Sequence, residues 1–86
     1  MYTLIWSGRA LDQLAEIYIS LPLDEQRHMA AGVDAMNHRL ASRPREEGES
    51  RGANLRIAFP AGLAARFRVN DAGQTVRVTN VKRYGR

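Results

Sequence analysis

The chain alternates, then repeats, then alternates again. Residues Tyr2–Trp6 (YTLIW) set Tyr2, Leu4 and Trp6 against Thr3 and Ile5, an aromatic and β-branched run that predicts a strand whose first set faces a core. Ser7 follows, with a side-chain oxygen suited to cap a helix. From Gly8 to about Leu21, the residues Leu11, Leu14, Ala15, Tyr18 and Leu21 fall on one helical stripe. Pro22 ends that helix or starts the next. From about Leu23 to Ser42, Met29, Val33, Met36 and Leu40 recur at helical spacing, and Pro44 stops the second helix because its ring clashes with the preceding turn. Two amphipathic helices joined by a short link predict a helical hairpin.

The second half is built on a period of two. Arg43–Gly52 is charged and carries two glycines, so a loop is expected there. In Asn54–Phe59, Leu55, Ile57 and Phe59 alternate with Asn54, Arg56 and Ala58. After a Pro-Ala-Gly turn, Leu63, Ala65, Phe67 and Val69 alternate with Ala64, Arg66 and Arg68. Asn70–Gly73 is a hairpin signal, because Asn, Asp and Gly tolerate positive φ. In Thr75–Arg83, Val76 and Val78 oppose Arg77, Thr79 and Val81. The predicted order is β-α-α-β-β-β within one domain of residues 1–86. The fold class is α+β: an N-terminal strand and a helical hairpin packed on one face of a small, mainly antiparallel sheet. If the helices cover the apolar face, Arg56, Arg66, Arg68 and Arg77 share the opposite one.

Charge sharpens that picture. Residues 1–43 hold four arginines against five carboxylates, whereas residues 51–86 hold eight basic residues against Asp71 alone. Such asymmetry points to a polyanion or an acidic protein as partner. Of the 13 basic residues only Lys82 is not arginine, and guanidinium forks match phosphate geometry. Cysteine is absent, which excludes disulfides, thiolate metal ligands and thiol nucleophiles. His28 and His38 lie among polar neighbours on the helical hairpin with no third ligand in sight, so no metal site is expected. No apolar run reaches the length needed to span a bilayer and no signal-peptide pattern opens the chain, so a cytoplasmic protein without membrane contact is expected.

Several stretches together resemble one family. They are LIWSGRALDQLAEIYISL at the start, NHRLASRPREEGESRG leading out of the second helix, LRIAF, and the closing ARFRVNDAGQTVRVTNVKRYGR. Their order and spacing are similar to those of the RelE/ParE superfamily of bacterial type II toxin–antitoxin toxins, over nearly the whole chain. The resemblance implies a toxin neutralised by a cognate antitoxin and working without a metal or cofactor. Its first expectation is inhibition of translation by metal-independent mRNA cleavage on the ribosome. The alternatives are DNA gyrase inhibition of the ParE kind, or a non-catalytic nucleic-acid- or protein-binding module of the same fold; whether the chain is an enzyme stays open.

In RNA cleavage without metal, the ribose 2′-OH attacks the adjacent phosphate, which needs cations on the phosphate and a group to move protons. The resemblance implies catalytic roles for Arg66, Arg83 and Tyr84, and nucleic-acid binding by Arg56, Arg68, Arg77 and Lys82. Arg56 matches the basic position of the family's second strand, and Lys82 and Arg83 match its terminal basic cluster. The arginine that RNA-cleaving members carry near the start of the following strand falls here on Ala64, with Arg66 two residues on.

Overall fold

The computed structural model describes residues 1–84. Strand β1 (Thr3–Trp6) leads through Ser7 into helix α1 (Gly8–Ile19), and α2 (Leu23–Ser42) runs back against it. Strands β2 (Glu49–Ser50), β3 (Leu55–Ala58), β4 (Leu63–Asn70) and β5 (Thr75–Arg83) follow. They form one sheet of order β1-β5-β4-β3-β2, antiparallel except for β1 beside β5. This is the α+β arrangement the periodicity predicts, with the helices on one face. The two-residue strand β2 is an addition: Glu49 and Ser50 have no alternation of their own and become strand by pairing with Ile57 and Arg56. No helix among the described residues is long and apolar enough to cross a membrane.

Helix α1 forms where the sequence places its cap. The Ser7 Oγ accepts from the Ala10 N–H at 3.0 Å, and the Ser7 N–H donates to the Val78 carbonyl at 2.9 Å, so one residue starts α1 and ties it to β5. Met29, Val33, Met36 and Leu40 of α2 are buried, as their spacing predicts. Helix α1 is rolled relative to the expected stripe. Ala10, Leu14, Ile17 and Leu21 pack on the core while Leu11 remains 52% exposed. Both sets have helical spacing, and the tie of Ser7 to β5 decides which one meets the sheet.

Phe67 is fully buried at the centre of the sheet. Leu63, Ala65 and Val69 of β4 join Val76, Val78 and Val81 of β5 around it. Tyr2, Leu4 and Trp6 pack at the edge of this core, as expected for β1. The indole N–H of Trp6 donates to Asn37 Oδ1 at 3.1 Å, joining β1 to α2.

The turn Pro60–Gly62 passes against α2 at Gly32. A Cβ built on Gly32 falls 2.7 Å from the Ala61 Cβ, and Ala61 itself holds φ 48°, so neither backbone yields easily. Gly32→Ala should therefore destabilise by about 1–3 kcal/mol through overpacking, more than the roughly 1 kcal/mol that alanine adds in an unhindered helix. Urea unfolding of both proteins measures the difference, and a more stable variant would refute the clash.

Candidate nucleic-acid interface

Phase along β4 and β5 places the basic side chains. Directly opposed residues share a face, and Ala64↔Lys82, Arg66↔Asn80 and Arg68↔Arg77 all point away from the helices. Between Arg66 and Phe67 the ladder slips by one residue, leaving Thr79 as the extra residue of a bulge. A bulge on a strand of period two reverses the phase beyond it. Val81, expected on the outer face with Arg77, is therefore turned inward and buried, and Lys82 is turned outward. The N–H of Val81 is satisfied from α1, by Gln13 Oε1 at 2.7 Å.

The outer face carries Arg66, Arg68, Arg77 and Lys82, all exposed. Arg9, in the first turn of α1, completes it. A shallow cavity of about 550 Å³ is walled by Arg9, Arg66, Arg68 and Lys82, with Leu55, Thr79 and Asn80 between them. A second cavity of about 430 Å³ shares Arg68 and continues to Arg77, Thr75, Asn70 and Asn54. Under these cations Ile57 and Ala64 are only 9% and 3% exposed although no helix covers them. The neighbouring side chains of the same face provide the cover, as long arginine stems do.

The carboxylates that could neutralise this face are held elsewhere. Glu47 accepts a two-pronged bond from Arg39, 2.7 Å at Nε and 3.0 Å at Nη2. Glu46 pairs with Arg43 and Glu49 with Arg51. Asp71 accepts from Arg45 Nη2 and from the Tyr2 hydroxyl, both at 2.7 Å. Among the described residues no ion pair includes Arg9, Arg66, Arg68, Arg77, Lys82 or Arg83. The hydrogen bond from Arg45, then that from Tyr2, holds the Asp71 carboxyl below its ordinary range. The same contact raises the Tyr2 phenol.

One expected position is corrected. Arg56 is opposite Phe67 and lies on the helix side, whereas Leu55 and Ile57 share the face of Arg68 and Arg66. The Arg56 guanidinium is occupied by backbone, donating from Nε to the Glu47 carbonyl at 2.9 Å and from Nη2 to the Gly48 carbonyl at 3.1 Å. The cause is local. Near the edge of the sheet the helix face takes the small Ala58, and the Glu47–Gly48 segment supplies acceptors that reward a guanidinium. That segment can approach because Gly48 has φ 65° and no side chain: a Cβ there would meet the Ile57 carbonyl oxygen.

Arg83 is given no face by the alternation. It stands opposite Leu63, on the helix side. With Glu25, His28 and Tyr84 it lines a separate cavity of about 210 Å³. The Tyr84 N–H donates to the Gly62 carbonyl at 2.8 Å, and its ring meets Phe59 with centroids 4.6 Å apart at 48°. The predicted trio of Arg66, Arg83 and Tyr84 is thus divided by the sheet. Sequence reasoning passed over Arg9, and over Glu25 and His28 as neighbours of Arg83. Nothing in their spacing marks them, because each is brought in by packing of a helix on the sheet.

No protein-family model matches the chain, and no curated protein matches it in sequence. Solved structures do. The chromosomal ParDE toxin–antitoxin system of P. aeruginosa superposes with a TM-score of 0.75 at 18% identity, over 99% of this chain and 98% of that one. The chain has the RelE/ParE fold. The isolated E. coli RelE toxin gives 0.70 at 20% identity, covering 100% of this chain and 87% of the toxin. The RelBE2 toxin–antitoxin complex of Mycobacterium tuberculosis gives 0.72 at 22% identity, covering 95% and 90%. The likeness read from short motifs therefore holds at the level of fold.

The Asp71 cluster generates a pH prediction. A carboxyl whose folded pKa is depressed adds stability that is complete above its unfolded value, about 3.9, and is lost as pH falls through the folded value. Asp71→Asn should therefore lower Tm at neutral pH and flatten its decline below about pH 4. Parallel acid limbs for the variant and the parent in thermal scans would show that the cluster contributes nothing.

Proposed function

We propose that this chain is the toxin of a type II toxin–antitoxin pair, kept inactive by a cognate antitoxin. Free, it inhibits translation by engaging and cleaving ribosome-bound mRNA without a metal. The observation that carries the reading is the outer face of β4 and β5, where Arg9, Arg66, Arg68, Arg77 and Lys82 stand together and, among the described residues, form no ion pair with a carboxylate. A face of that composition is an electrostatic footprint for a polyanion. In transesterification, negative charge grows on the equatorial oxygens of the attacked phosphate, and guanidinium groups already fixed beside it stabilise that charge without reorganising. Arg66, centred between Arg68 and Lys82, is suited to that role.

Tyr84, just past the end of β5, is the residue proposed to handle protons, with the His28 imidazole lining the same cavity and Arg83 as a further cation there. A protein partner is supported by the apolar groove between α1 and α2, where Leu14, Tyr18, Met29 and Val33 line about 280 Å³. Beside it Ile19 and Leu23 remain 77% and 62% exposed.

One observation favours a second reading, inhibition of DNA gyrase. Among the described residues the outer depression is lined by no histidine, tyrosine or carboxylate, and Tyr84 and His28 line a separate cavity across the sheet from Arg66. A face that binds but does not cut fits a target blocked by occupancy.

Induced expression in a bacterial host separates these. Amino-acid incorporation should fall before thymidine incorporation, and Arg66→Ala should restore growth, since loss of one charge-stabilising donor costs about 10²–10³ in rate. Thymidine incorporation failing first would transfer the assignment to gyrase. Growth unaffected by the parent protein would leave only a binding module.

A further inference from the structure

Arg68 and Arg77 are direct partners across the β4–β5 ladder, on the uncovered face. Like charges in that position repel and weaken the sheet, so a fold that keeps them with no carboxylate paired to either among the described residues is poised for an anion. Asp71, the nearest acid along the chain, is held by Arg45 and Tyr2. The polar neighbours have been sorted in the same sense. Asn54 Oδ1 accepts from Arg45 and Asn70 Oδ1 accepts from the Gly73 N–H at 3.0 Å. The acceptors of both amides are engaged, which leaves their NH₂ groups as the spare donors of two residues that line the cavity of about 430 Å³. Arg68, Arg77, Asn54, Asn70 and Thr75 line it together with Val69.

We propose that Arg68 and Arg77 clamp one phosphodiester of a single-stranded nucleic acid, with Asn54, Asn70 and Thr75 as supporting donors. The clamp rests on the reading of the outer face as a nucleic-acid surface and adds a subsite beyond Arg66. Along β4, Arg66 and Arg68 are two residues apart, a repeat of about 6.8 Å, so a strand held at the clamp presents its next phosphate to Arg66, Arg9 and Lys82. A nucleic acid suits this surface better than an acidic peptide does. The N–H and C=O groups of β4 and β5 are consumed within the sheet, so a peptide lying on the face gains no backbone hydrogen bonds, whereas a nucleic-acid strand brings a charge at every residue. No aromatic side chain stands among the groups lining either cavity, so the clamp reads backbone rather than bases.

The test is fluorescence anisotropy of a 12-nucleotide oligo-U RNA with the purified full chain, over a range of salt concentrations. Arg77→Gln and Arg68→Gln should each weaken binding about tenfold at low salt and reduce the slope of log K against log salt by about 0.7. In buffer without polyanion, Arg77→Gln should raise Tm, because it removes the cross-strand repulsion; that readout also shows the variant is folded. Unchanged affinity and slope for Arg77→Gln, with Arg66→Ala weakened, would overturn the clamp and leave the nucleic-acid face standing. RNA that fails to bind the parent protein would overturn both. An oligo-glutamate peptide that outcompetes the RNA, and loses affinity in Arg77→Gln, would overturn the clamp in favour of an acidic protein partner.

Discussion

The pairing of β4 with β5, slipped once at Thr79, is the constraint from which the arrangement of charge follows. Before the slip, Val76 and Val78 lie inward with Phe67 and Val69, and Arg77 lies outward beside Arg68. After it, Val81 is inward, Lys82 outward and Arg83 inward again. One extra residue thus lets β5 keep three valines in the core while its basic end is shared between two surfaces. The freed backbone is not left bare: Gln13 from α1 reaches the Val81 N–H, and the Ser7 hydroxyl lies 3.5 Å from the Thr79 carbonyl. The helix that covers the core also stabilises the irregularity that aims the cations.

Electrostatics at the rim of the sheet and in the middle of its outer face are arranged in opposite senses. At its rim, acids and bases meet in short contacts: Arg39 with Glu47, Arg45 with Asp71 and Tyr2, Arg51 with Glu49. These exposed pairs add little stability individually. Their larger consequence is that carboxylates are drawn to the edges. The middle of the outer face is left with like charge at close quarters, a state that costs stability in isolation and favours any polyanion that can lie across it.

The division of the basic residues bears directly on mechanism. Among the described residues, a phosphate on the outer face meets guanidinium groups and a lysine but no conventional proton carrier. A group docked between α2 and the end of β5 meets Arg83, Tyr84, His28 and Glu25. Binding and proton transfer on one substrate therefore require a strand that turns around the end of β5, near Lys82. This geometry is more demanding than a single pocket.

Periodicity alone determined the helical hairpin, the hairpin of β4 and β5, the buried row of α2 and the outward placement of Arg66, Arg68 and Arg77, because each follows from a local period against a hydrophobic layer. The likeness to RelE/ParE toxins was legible for the same reason, in short motifs held at fixed order. Tertiary structure alone decided the rest. The phase of β3 turned on which neighbours could accept hydrogen bonds from Arg56, and Leu55, Ile57 and Phe59 carried no sign that their strand runs near an edge. The bulge at Thr79 is one residue of slip, invisible to a period-two pattern that reads equally well on either side of it. Arg9, Glu25 and His28 joined their cavities through the docking of helices, and the path of a helix across a sheet is set by packing over distances that no local sequence encodes.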